Sequence, residues 1–493
     1  MAMDFPASPT DGQTYSPPGG PDYIYRTASG AWEIQTSGSN SAFVAKAGDV
    51  MSGDLTIEKS NARLYLNAAV GTNGLIIGQR GTSPRWAIYA PDSGAESGAN
   101  VGSDFLIQRY NDAGVVIDAP LHISRATGRL SLAKDPTAGL HAATKQYVDQ
   151  APSRNRIVNG AMQISQQWDT TVGGPVSVLN YFMADQWGAV SSSTGTASAG
   201  RVLLRTPNGS QARVRINVAT ISATPGAGEH LGFSHPIEGI DVYDFLYGLA
   251  SARQAILRFG FKGPPGTYSI ALTNNDFNYS YVANFTILAG QSNTDTEQVF
   301  VIPGPTAGVW LISNVIGILL RINMMVGTTY QGVAGWQTGF KLGTAANTNG
   351  FGTAGNTFEL FDVGFYLDAG NTGVAPRWQA PDWQIEFYKC QRYYRLKPPE
   401  GAGIASDSVN AFFSINHHGM RVAPTASGLN PIRISDIFSA NFDQTTPHAT
   451  VAGASNAHWG DYLLSNFVGL TAGRSYIVRP GIVGGLIQLS ARM

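Results

Sequence analysis

Apolar and polar residues alternate with a period of two along much of this chain. In "GDLTIEKSNARLYLN", Leu55 and Ile57, then Leu64 and Leu66, take every second position. That is the pattern of a strand with one face buried. "SPRWAIYAP", "SDFLIQRYND", "GVVIDAPLHIS" and "TGRLSLAKD" repeat it, each closed by turn residues. A single hairpin of this size is marginal in water. A run of them predicts side-by-side packing of several chains around an axis. Further on, "RQAILRFGFKGPPGTYSIALTNNDFNYSYVANFTI" (253–287) reads as strand, Pro-Pro-Gly turn, strand, polar loop, strand. The apolar run "GVWLISNVIGILL" (308–320) is too short for a membrane span and is expected to form a buried strand pair.

The period changes once, at "AGLHAATKQYVDQ" (138–150). Leu140, Ala143, Thr144, Tyr147 and Val148 fall on one face of a helix, with a start signal at Asp135-Pro136-Thr137 and a stop at Pro152. A dozen helical residues are marginal alone. Three copies burying these faces against one another would make a short coiled-coil joint, with the five residues as a trimer interface. The alternative is a surface helix packed on its own chain.

Composition narrows the class. Of 493 residues, 13% are charged, about half the usual share, while Gly reaches 58 and aromatics 10%. Normal hydrophobicity without charge argues against disorder and for a mainly β protein with many turns. A net charge of −1 gives no general attraction to nucleic acid or anionic membrane. The single cysteine, Cys390, excludes an internal disulfide framework and is expected to be a buried, inert thiol. "MAMDFPASPT" has neither a basic nor an apolar signal region, so synthesis and assembly in a cytoplasm are expected.

Six regions are expected: an N-terminal attachment module (1–46), a β-rich shaft (47–134), the helical joint (135–153), a jelly-roll-like β-sandwich head (154–375), an aromatic-rich connector (376–396) and a small β tip (397–493). In the first, Tyr15, Tyr23, Tyr25 and Trp32 are too few for a core and are assigned to docking on another protein.

Several stretches resemble bacteriophage tail fibre proteins. "GDVMSGDLTI" and "DPTAGLHAATKQYVDQ" (135–150) are similar to motifs recurrent in phage fibre shafts. "NRIVNGAMQISQ", "YFMADQW" (181–187), "TFELFDVGFYLDAG" (357–370), "FYKCQRYYRL" and "MRVAPTASG" (420–428) resemble, in order, a carbohydrate-binding-like sandwich module of phage tail proteins. The resemblance implies an elongated homotrimeric receptor-binding fibre. It would be fixed to another tail or baseplate protein through residues 1–46 and would meet a bacterial surface glycan or protein at its C-terminal end. A structural baseplate or neck fibre and a glycan depolymerase are the rival readings.

Candidate chemistry favours binding over catalysis. No G-x-S-x-G, H-E-x-x-H, P-loop or paired C-x-x-C is present. Asp241, Asp244, Asp276, Asp362, Asp443 and Asp461 are scattered over turn-like segments rather than paired. No catalytic residue, cofactor or metal is therefore assigned. Sugar binding needs an aromatic face beside amides, carboxylates or imidazoles. Three groups offer that: Asn274, Asn275, Asp276, Asn278 and Tyr279 in "NNDFNYSY"; Gln331, Trp336 and Gln337 in "YQGVAGWQTG"; and His417, His418, His458, Trp459 and Tyr462 in the last unit.

Overall fold

The computed structural model describes residues 4–18, 20–34, 54–138, 140–145, 148, 154–168, 174–176, 181–398, 400–417, 419–436, 440–479 and 486–493. Tyr147 and His418 lie outside the described residues. The chain is 41% strand and 6% helix, with several sheets, so the mainly β expectation holds. Among the described residues no helix is long and apolar enough to cross a membrane. The chain divides into two compact units, Met1–Ala133 and Lys134–Met493.

The first unit opens with a three-stranded sheet, Thr14–Tyr15, Tyr23–Arg26 and Ala31–Ile34. Phe5, which the sequence reading passed over, places its ring 5.2 Å from Trp32 in a stacked arrangement. It also lies against Tyr15 and Tyr23, and Tyr25 packs on Trp32. The four aromatics assigned to docking thus form a half-buried cluster around Phe5.

A five-stranded antiparallel meander follows: Leu75–Arg80, Ser83–Tyr89, Phe105–Tyr110, Val116–Ile123 and Leu130–Leu132. Its register aligns Ile76, Ile88, Ile107, Leu121 and Leu132 in one row across all five strands. Paired residues share a face, so this face is mostly apolar, with Trp86, Phe105, Ile123 and Leu130 beside the row and the Arg109–Asp118 ion pair next to Trp86. Yet among the described residues of this unit Ala87 is the one buried hydrophobic side chain. The alternation from residue 75 onward has produced a sheet without a core of its own, whereas Leu55, Ile57, Leu64 and Leu66, expected in strands, lie in none.

The second unit has a conventional core. A seven-stranded sheet runs Tyr181–Ala184, Trp187–Ser191, His230–Glu238, Ile316–Val326, Gly266–Thr273, Tyr279–Ile287, Gly335–Thr338. It faces a six-stranded sheet ordered Thr296–Ile302, Ala255–Lys262, Thr357–Leu367, Arg213–Thr220, Thr196–Val202, Gly174–Val176. Every second residue of these strands, among them Phe233, Leu257, Phe259, Ile270, Leu320 and Phe358, enters the shared core. Between 308 and 320 the strand begins only at Ile316; residues 308–315 form a loop, so this run is half of the strand pair expected from its apolarity.

The helix expected over 138–150 starts late. Leu140, Ala143 and Thr144 are not helical, Leu140 is fully exposed, and helical residues begin at Lys145. Thr144 occupies the cap position: its hydroxyl bonds to Asp135 and its carbonyl accepts from the Val148 amide at 3.1 Å. A β-branched hydroxyl residue favours this place over a helix interior. Of the five residues assigned to a helical trimer face, only Val148 is described in a helix.

The aromatic connector contains helix α1, Trp383–Gln391, started by Asp382, whose carboxylate accepts from the Ile385 amide at 3.0 Å. It shows no clean apolar stripe because the face it buries carries Glu386 and Cys390. Glu386 accepts from the Asn159 amide and from Lys389 at 3.0 Å. Cys390 packs with Val158, Ile164 and Tyr393. Just past α1, Arg392 makes a two-pronged bond to buried Glu238, at 2.7 and 2.8 Å.

The tip is a second, smaller sandwich. A seven-stranded sheet (Asn441–Asp443, Arg433–Ser435, Ser475–Arg479, Ala402–Ala405, Ala411–Asn416, Trp459–Leu464, Ala449–Ser455) faces Tyr394–Lys397, Ile487–Ser490 and Thr425–Gly428. Phe413, Ile415, Ile434, Tyr462, Tyr476 and Leu489 fill the space between. Arg421 donates to the Asn314 carbonyl at 2.6 Å and Arg492 to Gln167 at 2.5 Å, tying tip to head within one unit.

Candidate functional site

Of the three polar–aromatic groups, two are spent on structure. Asn274 is buried; its carbonyl accepts from the Asn278 and Tyr279 amides, and its amide donates to Asn278 and to the Val309 carbonyl. Asp276 and Asn278 are exposed at the rim of that loop, and half-buried Asn275 donates to Asp276 at 3.0 Å. Gln337 uses both ends of its amide on Val333, and Gln331 donates to the Val326 carbonyl at 2.9 Å. Trp336 is stacked on Tyr279 at 5.8 Å, meets Trp310 edge-on at 5.5 Å, and donates its indole N–H to the Pro303 carbonyl at 2.6 Å. A ring enclosed this way fixes the loop above the core; it does not offer a free face to a sugar.

In the tip, the structure removes two further candidates. His417 and Tyr462 are fully buried, because both alternate inward from neighbouring strands and their rings meet at 6.1 Å. Burial lowers the His417 imidazole and lifts the Tyr462 phenol to about 12. A ligand in solvent reaches neither.

Trp459 behaves differently. It starts the strand Trp459–Leu464 and is 43% exposed. Its amide and that of His458 both bond to the Asn456 side chain, and the Asn456 amide returns to the Trp459 carbonyl at 2.9 Å. This Asx turn holds the indole in place. His458 is exposed beside it, accepting at Nδ1 from the Gly419 amide at 3.3 Å.

Strand register builds the rest of the site. Trp459 pairs with Asn416, Asp461 with Ser414, and Leu463 with Phe412. All six point away from the tip core, since the alternating residues Phe413, Ile415, Tyr462 and Leu464 point into it. The result is an outer face with an aromatic end (Trp459, Asn416), a polar middle and an apolar end (Phe412, Leu463, and Ile404 opposite Phe412). In the middle the Ser414 hydroxyl donates to the Asp461 carboxylate at 2.5 Å. The other Asp461 oxygen lies toward Gly453, where the edge strand breaks register and carries no side chain into the space.

Two residues along a strand are about 7 Å apart and cross-strand partners about 5 Å. A flat ring of indole therefore sits one residue pair from a carboxylate and a hydroxyl. This combination takes an amphipathic ring: an apolar face against the indole, edge hydroxyls to Asp461 and Ser414. Sequence reading found His458 and Trp459 but missed Ser414, Asn416 and Phe412, which lie more than 40 residues earlier and arrive only through strand pairing.

No protein-family profile matches the chain, and no curated protein matches it in sequence. Among solved structures, the enzymatically active domain of tailspike protein 4 of bacteriophage CBA120 is similar over 46% of this chain and 22% of its own, at 13% identity and a TM-score of 0.24. An arabinose-bound GH51 α-L-arabinofuranosidase is similar over 43% of this chain and 26% of its own, at 13% identity and a TM-score of 0.25. A galactotriose-bound carbohydrate-binding module, TmCBM61, is covered in full by 44% of this chain at 12% identity and a TM-score of 0.21. The chain thus spans about a quarter of the length of the first two, and at these TM-scores none of the likenesses carries an argument.

Proposed function

We propose that the chain is the subunit of a homo-oligomeric bacteriophage tail fibre, a homotrimer in the simplest case, that attaches the virion to the bacterial surface by binding a glycan without chemical change. The observation that supports glycan binding most directly is the outer face of the tip sheet, where exposed Trp459 and Ser414 and half-buried Asp461 are fixed on adjacent strands. The fibre role draws on the shaft and head motifs that resemble phage fibre proteins. The meander supports the oligomer: five strands carry an apolar row and nearly no core, a face that association with further copies would cover. Weak contact at one site then suffices, because several copies multiply it. The N-terminal module would join the fibre to another tail or baseplate protein.

The test is adsorption. Purified full-length chain added to candidate host cells is expected to label one host and to block phage adsorption to it. A folded oligomer that labels no host on which the phage adsorbs would overturn the reading in favour of a structural fibre.

A further inference from the structure

The described residues include five buried arginines, and four of them have partners. Arg156 and Arg258 each meet a carboxylate, Asp244 at 2.7 Å and Glu297 at 2.6 Å. Arg213 lies between Asp295 and Glu359, both at 2.8 Å, and Arg201 donates to the Gln163 carbonyl at 2.8 Å. Arg321 has no partner. It is 8% exposed, and its Nε and Nη1 are sealed from solvent without a hydrogen bond. Nη2 makes no bond either and is left as the nitrogen open to solvent. Burial pushes this guanidinium down to about 10. Its charge is nevertheless felt nearby: burial first, and Arg321 second, bring His230 down to about 4. A buried charge is costly until something pairs it.

Strand register places Arg321 at the centre of the outer face of the head's seven-stranded sheet, since its neighbours Leu320 and Ile322 point into the core. The row across that face runs Gly188, Ser234, Arg321, Ala271 and Val282. The flanking side chains are small and carry no charge. The segment 327–344 lies over part of the face: the Leu342 carbonyl accepts from the Asn323 amide and the Ser269 hydroxyl, both at 2.8 Å, and the Gly339 carbonyl from Ser280 at 2.6 Å. Two more groups without partners stand one step from Arg321. Asn323 Oδ1 is two residues along the same strand, and the Thr273 hydroxyl is diagonal to it on the next strand; both are buried.

These groups together select a ligand. A guanidinium with Nε and Nη2 both free takes a carboxylate in two prongs, as Arg392 takes Glu238 in this chain at 2.7 and 2.8 Å. Asn323 Oδ1 only accepts, so it calls for a donor. A bare oxyanion supplies no donor, and a neutral sugar leaves the charge unpaired. A sugar acid supplies both, a carboxylate and ring hydroxyls. We infer that the outer face of the head binds an acidic sugar, its carboxylate held by Arg321 and its hydroxyls meeting the unpartnered oxygens beside it. The inference rests on the glycan-binding reading above and makes the recognised glycan an acidic one, held at the head as well as at the tip.

The experiment is titration calorimetry on the full-length chain carrying Trp459→Ala, which silences the tip platform. The probes are D-glucuronate, D-galacturonate and N-acetylneuraminate, with D-glucose and acetate alongside. At least one of the three acids is expected to bind saturably, and at least tenfold more tightly than either control. Arg321→Met in this background should lose that binding. It should also melt at or above its parent's temperature, because an unpaired buried charge has gone. Arg321→Lys, which keeps the charge but not the fork, should bind about tenfold more weakly. Failure of all three acids to bind, or unchanged binding in Arg321→Met, would overturn the site. Acetate as tight as the best acid would overturn the sugar in favour of a carboxylate on any carrier, a protein's included. An Arg321→Met chain that melts well below its parent would show a structural role for the guanidinium and overturn the site as well. Host labelling is read separately, so any of these failures leaves adhesion through the tip standing, whereas a chain that labels no host removes the reading beneath both.

Discussion

Replacing Ile107 with Asp tests what the meander is for. Ile107 is the third of five residues in the row Ile76, Ile88, Ile107, Leu121 and Leu132, on the central strand of its sheet. Covering an aliphatic side chain of this size fully contributes about 1.5–3 kcal/mol. Four of these side chains are already largely covered and Ile76 is exposed, so roughly a third of that, about 2.5–5 kcal/mol per copy for the row, remains to be gained when another chain covers it. Asp removes one fifth of this gain. It also places a carboxylate at the centre of the contact, where an unpaired buried charge costs several kcal/mol more. The two losses together match the whole association energy of the row, so sedimentation of Ile107→Asp should show the meander-driven assembly lost or weakened at least a thousandfold. Ser131→Asp, an exposed position on the opposite face of the same sheet, should sediment like the parent. If Ile107→Asp keeps the parent's mass at micromolar concentration, the apolar face is not an interface between copies. If the parent itself sediments at the 52.3 kDa of one chain, the oligomer fails altogether.

Three further outcomes follow from the second unit. Glu359 is buried between Arg213 at 2.8 Å, Arg215 at 2.5 Å and Lys262 at 3.9 Å; Glu359→Ala should cost about 3–5 kcal/mol by denaturant unfolding, because buried Arg213 then has Asp295 as its remaining carboxylate, beside the Arg205 carbonyl. His235 is wholly buried beside Trp187, bonds the Val158 carbonyl at 2.8 Å, and burial pushes it down to about 4 from 6.5. Its unfolded form takes a proton below pH 6.5 that the folded form refuses, so stability is full above that pH and falls by up to about 3 kcal/mol toward pH 4; His235→Gln should flatten the profile between these values. Cys390 is buried and its thiol is raised far above the ordinary range, so an aromatic disulfide reagent at pH 8 should react with it only as fast as the chain unfolds.

How much was legible in the sequence depended on distance along the chain. The hairpin Gly266–Thr273 and Tyr279–Ile287 was plain, because alternation and turn residues are local, and the structure pairs them residue for residue. The helix near 140 was misread because Leu140 and Ala143 match the helical period while Thr144, the actual start, prefers a cap. Helix α1 lacked a stripe since its buried face holds Glu386, whose burial depends on the amide of Asn159, 227 residues away. The candidate site divided in the same way. Trp459 announced itself beside Asn and His, but Trp336 did so equally and turned out to be enclosed by Tyr279 and Trp310. His417 and Tyr462 fall on the inward phase of their strands, a matter of register that loop composition does not carry. Ser414 became part of the platform only when Phe412 and Leu463 were paired.

The most direct test of the account is the binding of labelled full-length Trp459→Ala to the host that the parent labels. The indole lies on the surface and its removal touches no core, so the variant should melt with the parent and keep its mass. Loss of one ring contact is expected to weaken each site about tenfold, and multivalent labelling of cells by more. Trp459→Ala that labels the host as strongly as the parent would contradict the claim that this face of the tip meets the receptor.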